Sequence, residues 1–118
     1  MTTPFEKTQG EPLARKKCIP CEGGVLPMTE REALETNKQL DGWMVVDGGH
    51  LLAKSFHFKN FKQTMEFVNQ IAAIAEGEGH HPDLTISYGD VGVELMTHAI
   101  GGLSENDFIV AAKIDQIK

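Results

Sequence analysis

Two predicted β-hairpins on either side of one long helix restrict the fold of this 118-residue chain most strongly. Asp47-Gly48-Gly49 separates two short apolar runs and Gly89-Asp90 separates two more, as tight turns between antiparallel strands do. Between the hairpins, residues 61–76 carry apolar side chains at helical spacing. These side chains predict one buried stripe that consists of Phe61, Met65, Val68, Ala72 and Ala75.

Each predicted helix begins next to a residue that can cap it. Thr29 and Glu32 have the capping-box spacing for a first helix. Asn60 precedes the long helix, and Ser104 precedes a last helix over about residues 105–117. The order is helix, hairpin, helix, hairpin, helix. We therefore predict an α+β fold, with a four-stranded antiparallel sheet and helices packed on one face.

The chain divides into a short arm and one domain. Residues 1–17 are polar and contain Pro4, Gly10 and Pro12, so we expect a flexible N-terminal arm. Residues 18–118 have the size of one ordinary domain. The arm lacks the apolar stretch of a secretory signal, and no apolar run approaches the roughly 20 residues of a membrane span. We expect a cytoplasmic protein that does not bind membranes.

Charge and cysteine content narrow the possible partners. The formal net charge of −6 and the pI near 5.3 disfavour nucleic-acid binding. Cys18 and Cys21 form a single CxxC motif, which is half of a zinc site at most. Ordinary thiols, a redox pair, and a metal shared between subunits all stay open for these cysteines.

The candidate catalytic residues lie in a histidine-rich stretch of the C-terminal half. His80 and His81 are adjacent, and Pro82 favours extended backbone before it, so the two side chains are expected to point in opposite directions. Counting outward from a turn at Gly89-Asp90 places His98 opposite His81. Three imidazoles are therefore expected close together, and imidazole exchanges protons readily near neutral pH.

Simpler roles are open for several of these residues. His50 and His57 are best interpreted as hydrogen-bonded structural residues. Asp107 lies three residues after Ser104 and could serve only the helix N-terminus, while Glu76 could be only a solvated residue. A metal site is the rival use of three imidazoles. We predict no metal, because adjacent histidines seldom bind one ion and no HExxH spacing is present.

The spacing of the polar residues in this stretch resembles the signature of the pterin-4a-carbinolamine dehydratase family. The matching residues are Glu76, His80, His81, Pro82, Tyr88, His98 and Asp107. The segments KKCIPCEGG, LDGW and THAIGGLSENDF also resemble members of that family. The resemblance covers about residues 13–118.

This resemblance implies a reaction and a set of roles. The reaction is loss of water from a 4a-hydroxytetrahydropterin to give quinonoid dihydropterin, which recycles the cofactor of aromatic amino acid hydroxylases. It implies a homodimer or homotetramer, a hydroxylase in the same pathway, and no cofactor. His80 and His98 would be the general acid/base pair, and His81 would hold the substrate and assist proton transfer as a third catalytic residue. Glu76 and Asp107 would orient imidazoles or favour their charged form.

A non-catalytic interaction module on the same fold is the alternative. The resemblance extends to relatives that act as dimerisation partners of a transcription factor, and to others linked to molybdopterin enzymes. A module that only binds proteins would not need the three histidines and two carboxylates together, which favours the enzyme.

Overall fold

The computed structural model describes residues 12–19 and 26–117. These residues form three α-helices and four β-strands: α1 (Glu30–Asn37), β1 (Met44–Val46), β2 (Leu51–His57), α2 (Phe61–Glu78), β3 (Asp83–Ile86), β4 (Asp90–Leu95) and α3 (Glu105–Asp115). Short 3-10 helices cover Leu13–Arg15, Asp47–Gly49 and His98–Ile100. No helix in the described ranges is long and apolar enough to cross a membrane.

The four strands form one antiparallel sheet in the order β1-β2-β4-β3. Alternate residues of β4 point into the core, as the period of a strand requires. Most of the large, fully buried apolar side chains come from the two central strands and from α2 and α3: Leu52, Ile71, Val91, Val93, Leu95, Phe108, Ile109, Val110 and Ile114. The predicted α+β fold with a four-stranded antiparallel sheet is confirmed.

The predicted caps also form. Thr29 and Glu32 make both hydrogen bonds of the capping box at α1, and the Asn60 side chain accepts a hydrogen bond from the Gln63 N–H at α2. Ser104 is the N-cap residue of α3. These caps satisfy N–H groups that the first turn of a helix leaves without a partner.

The buried face of α2 differs from the predicted stripe. Val68 and Ala75 are buried as predicted, but Ala72 is exposed and Phe61 is 49% exposed. The buried residues of the helix are Thr64, Phe67, Val68, Ile71 and Ala75. This set includes a second phenylalanine and an isoleucine. Burying these large side chains removes more apolar surface from water than burying an alanine would.

The second hairpin turns earlier than the predicted Gly89-Asp90. β4 already begins at Asp90, and its register pairs Asp83 with Glu94. Continued outward, this register brings His81 opposite a residue two positions before His98. The predicted pairing of these two histidines is therefore wrong, and His98 begins a 3-10 helix after β4 instead.

The surroundings of Gly89 explain the earlier turn. The Phe58 N–H donates to the Gly89 carbonyl at 2.7 Å, so this glycine lies against the end of β2. A Cβ at Gly89 would lie 2.8 Å from the Phe58 carbonyl oxygen. The Thr64 hydroxyl donates to the Tyr88 carbonyl at 2.9 Å, which ties the tip of the hairpin to α2. A close approach of backbones therefore requires this glycine.

Residues 12–19 lie against the last helix. Leu13 is buried in the core, and Lys16 forms an ion pair with Glu105 at 3.2 Å. Of the predicted flexible arm, residues 1–11 lie outside the described part of the chain. The boundary between arm and domain stays a prediction.

Two glycine substitutions test this backbone. A Cβ at Gly77, inside α2, would meet no heavy atom within 4 Å, so Gly77→Ala should stabilise the fold by about 0.5–1 kcal/mol. Gly49 has a φ of 97° and its Cβ would lie 2.8 Å from the Glu30 Cα. Gly49→Ala should therefore destabilise by about 1–3 kcal/mol. Urea unfolding measures both, and midpoints that shift in the same direction would contradict these backbone assignments.

Candidate active site

A cavity of about 430 Å³ lies where the end of α2, the end of β4 and the start of α3 meet. The three histidines singled out in the sequence, His80, His81 and His98, line it together. Thr97 and Asn106 contribute to its walls. The three imidazoles line one cavity, as the prediction that they lie close together requires. The strand register that led to this prediction differs from the observed one.

A larger cavity of about 640 Å³ lies between β2 and the two long helices. Phe56 of β2 and Phe67 of α2 line it together with charged and amide side chains such as Lys54 and Gln70. It contains one histidine, His57, whose ring pairs with Asp90 on the surface. None of the predicted site residues lines it, so the smaller cavity is the candidate active site.

His80 is held by a buried carboxylate. Its Nε2 lies 2.6 Å from Oδ1 of Asp107. The Asp107 side chain is fully buried and the His80 side chain is 12% exposed. The position of His80 follows from the end of α2: Gly79 adopts a left-handed conformation, with φ of 66°, and turns the chain back toward α3.

The second oxygen of Asp107 is also bonded. Oδ2 accepts hydrogen bonds from the Thr97 hydroxyl at 2.8 Å and from the Ser104 N–H at 2.9 Å. Asp107 is thus the third residue of α3 and completes its capping box. The simple role considered for Asp107, at a helix N-terminus, is correct, and the same carboxylate also bonds to His80.

These bonds determine which nitrogen of His80 carries the proton. Because the carboxylate of Asp107 can only accept, Nε2 of the neutral ring must donate its hydrogen to it. The other nitrogen, Nδ1, then carries a lone pair. A neutral His80 in this arrangement is a base at Nδ1, with a fixed ring orientation.

His81 and His98 are more exposed than His80. Nε2 of His81 lies 2.8 Å from Oε1 of Glu76, but the two side chains are 59% and 79% exposed. Such surface pairs contribute little to stability. Glu76 is not among the residues that line the cavity. His98 is exposed in its 3-10 helix.

Tyr88, another residue of the resemblance pattern, and His50 lie elsewhere. Tyr88 is 69% exposed at the hairpin tip, where it stacks on Phe61. Nδ1 of His50 lies 2.8 Å from the Asp47 carbonyl oxygen, in line with the structural role predicted for His50.

Sequence reasoning missed Glu78, which also lines the cavity. Its Oε1 accepts from the Cys18 N–H at 2.8 Å and its Oε2 pairs with Lys113 at 3.1 Å. Burial by itself would raise the pKa of Glu78, but the Cys18 N–H and the Lys113 ammonium hold that pKa below its usual value. Glu78 belongs to the same Glu-Gly-Glu-Gly run as Glu76, which was the only signal available.

Cys18 also lines the cavity. Burial, and then the nearby charge of Glu78, raise the pKa of the Cys18 thiol to about 12. Its Sγ lies 3.6 Å from the Asn106 carbonyl oxygen. A thiol that stays protonated at neutral pH is a poor nucleophile and a poor metal ligand. Cys21, the other half of the motif, lies outside the described residues.

Metal binding receives no support from the described part of the chain. No group of three or more histidine, cysteine, aspartate or glutamate side chains there is arranged to hold an ion. The lack of a resident metal or cofactor stays a prediction.

Residues 26–117 match the family described as pterin 4 alpha carbinolamine dehydratase. A protein from Nitrosospira multiformis is 53% identical over 105 residues, which cover 89% of this chain and 91% of the relative. One from Rickettsia bellii is 53% identical over 107 residues, covering 90% and 94%. Both carry the name "Putative pterin-4-alpha-carbinolamine dehydratase".

Two solved structures are similar. A transcriptional coactivator/pterin dehydratase from Brucella melitensis has 39% identity and a TM-score of 0.71, covering 75% of this chain and 95% of that one. A pterin dehydratase-like protein, described as a RuBisCO assembly factor in the alpha-carboxysome, has 26% identity and a TM-score of 0.56. It covers 64% of this chain and 87% of its own.

The substitution Asp107→Asn should reverse the tautomer of His80. The amide oxygen can still accept from the Ser104 N–H, while its NH₂ group donates to Nε2 and leaves the ring proton on Nδ1. Nitrogen-15 NMR of the ring near pH 9, roughly two units above the ordinary imidazole pKa, reads this directly. Glu76→Gln is the control and should leave His80 unchanged. An unchanged His80 spectrum in Asp107→Asn would contradict the assigned bond.

Cys18 should react slowly with iodoacetamide. A pKa of about 12, against the usual 9.0, leaves about a thousandfold less thiolate near pH 8 than an ordinary thiol has. The measurement uses a Cys21→Ser background, so that one thiol is followed. The same protein in urea provides the control rate. Equal rates for the folded and unfolded chains would show that Cys18 is not protected.

Proposed function

Because this chain belongs to the pterin 4 alpha carbinolamine dehydratase family, we propose that it removes water from a 4a-hydroxytetrahydropterin to give quinonoid dihydropterin. The observation that carries this proposal is the His80–Asp107 pair at the wall of a cavity that two further histidines share. The family supplies the reaction class, and the hydrogen bond from Nε2 to Asp107 leaves Nδ1 as the basic nitrogen of a histidine that lines the cavity.

The reaction needs one base and one acid. The N5–H bond breaks and its electrons form the N5–C4a double bond, while the C4a–O bond breaks and hydroxide leaves as water after receiving a proton. His80 is the base in this scheme, because its bond to Asp107 keeps the lone pair on Nδ1. His98 is the acid in this scheme, since it lines the same cavity and is exposed to solvent, with which it can exchange protons.

His81 has a supporting role in the proposal. It lines the cavity but pairs at the surface with Glu76, so it can hold the substrate while retaining contact with water. Asp107 orients His80 and pairs with the charge that forms when Nδ1 accepts a proton. The scheme uses no metal or organic cofactor.

The kinetic test compares two histidines that both pair with a carboxylate. His80→Ala should lower kcat by roughly a hundredfold, the usual contribution of a positioned acid or base. His57→Ala removes an exposed pair with Asp90 and should leave kcat unchanged. The initial rate of the absorbance change measures how fast freshly generated 4a-hydroxytetrahydropterin loses water. No metal is added. A folded wild type that does not exceed the spontaneous rate would refute the proposed activity.

We expect the active protein to be a homo-oligomer. The strands β1 and β3 lie at the two edges of the sheet, and exposed edges are commonly covered by another chain. Met44 on β1 and Ile86 on β3 are 64% and 42% exposed. Whether two or four copies assemble stays a prediction, as do the cytoplasmic location and a pathway partner that hydroxylates aromatic amino acids.

The interaction module remains the alternative function. The titles of the two similar structures name a coactivator and an assembly factor, so this fold is associated with binding roles in relatives. In this chain, the buried His80–Asp107 pair favours catalysis. A protein-binding surface does not require a histidine with a fixed tautomer beside a cavity.

A further inference from the structure

Residues 16–19 form a short segment, here called the N-terminal strap, that lies along one side of the candidate active site. The strap precedes residues 26–117, which match the family. Its Cys18 and Ile19 line the same cavity as the three histidines. The spaced polar residues that carry the family resemblance do not include Cys18 or Ile19, so the structure adds them to the site.

A single asparagine side chain holds the strap at Ile19. The Ile19 N–H donates to Oδ1 of Asn106 at 3.0 Å, and Nδ2 of Asn106 donates to the Ile19 carbonyl at 2.5 Å. The amide thus bonds to both backbone groups of one residue, as a neighbouring strand would. Asn106 is itself buried at the start of α3, so the strap is tied to a rigid element.

Two further attachments fix the strap before Ile19. The Cys18 N–H donates to Glu78 at 2.8 Å, and Glu78 is anchored in turn by Lys113. Lys16 pairs with Glu105 at 3.2 Å and is almost fully buried. The strap backbone is therefore bonded to the end of α2 and to the start of α3.

The side chain of Ile19 does not account for this anchoring. It is 68% exposed, although its backbone is fixed by two hydrogen bonds. A segment that serves the core alone would bury its large aliphatic side chain, as Leu13 does just upstream. At Ile19, the structure instead holds an apolar side chain rigidly at the rim of a cavity that carries three imidazoles.

We propose that the N-terminal strap is a substrate-binding wall, in which Ile19 packs against the face of the pterin ring. Asn106 and Glu78 are positioning residues that act through the strap backbone. A pterin ring system suits such a wall, because the carbon atoms on one face of the bicycle can pack against Ile19 while its polar groups meet the histidines. This inference rests on the proposed function and names a determinant of its substrate binding.

In this proposal, the strap contributes to substrate binding and takes no part in proton transfer. Neither the aliphatic side chain of Ile19 nor the backbone that carries it can act as a general acid or base at neutral pH. Loss of the wall should therefore raise KM and leave kcat nearly unchanged, the pattern of a contact made equally in the ground state and the transition state.

The first experiment replaces the exposed side chain itself, which avoids damage to the core. Ile19→Ser should raise KM for the 4a-hydroxytetrahydropterin by roughly tenfold and keep kcat within about twofold. Leu26→Ser is the matched control, since Leu26 is 88% exposed and does not line the cavity. It should change neither constant.

The second experiment tests the anchoring without turnover. Asn106→Ala should speed tryptic cleavage after Lys17 by roughly tenfold, because two hydrogen bonds to the strap are lost. Asn37→Ala is the matched control: Asn37 also donates its amide to a backbone carbonyl, that of Trp43, far from the strap. In the wild type, added 7,8-dihydropterin should slow the cleavage, and in Asn106→Ala this protection should be lost.

The outcomes separate the two proposals. A wild type that neither accelerates dehydration nor binds 7,8-dihydropterin overturns the proposed function and the strap inference together. An active wild type that binds 7,8-dihydropterin, combined with an unchanged KM in Ile19→Ser, overturns the strap inference alone. Protection by 7,8-dihydropterin that persists in Asn106→Ala also overturns it. A raised KM in Ile19→Ser with normal kcat, and lost protection in Asn106→Ala, support it.

Discussion

The site depends on one buried carboxylate. Asp107 has a fully buried side chain, and a charge removed from water is tolerated only when hydrogen bonds surround it. Its donors come from three parts of the chain: Thr97 after β4, Ser104 before α3, and His80 after α2. These bonds hold the three segments together and determine the ring orientation of His80 at the same time. The same residue therefore stabilises the junction of the three segments and orients His80.

The junction around Asp107 explains why the site lies at this end of the sheet. α2 ends in a left-handed glycine that sends the chain toward α3, and a 3-10 helix after β4 brings His98 to the same cavity. Each histidine thus follows the end of a regular element, where side chains are free of the sheet and of the helical core. In the proposed function, His80 and His98 have different roles, because His80 is oriented by a buried partner and His98 is open to solvent.

The N-terminal strap extends this arrangement to residues outside the histidine pattern. Glu78, Cys18 and Asn106 form contacts that have no counterpart in the spacing of the histidine pattern. They place an aliphatic side chain next to groups that exchange protons. In the proposed function, the histidines determine the reaction and the strap contributes to the affinity for the ring.

The sequence by itself determined the type and order of the elements. Caps, glycine turns and apolar periodicity are local signals, so the three helices, two hairpins and the α+β class could be predicted from neighbouring residues. The spacing of Glu76, the histidines and Asp107 was enough to suggest the family and the candidate residues. Only the tertiary structure decided the exposed side of α2, the register of the second hairpin, and the partners of Asp107, Glu78 and Cys18. These depend on contacts between residues far apart in the chain, such as Gly89 against the Phe58 carbonyl and Ile19 against Asn106, which no local pattern encodes.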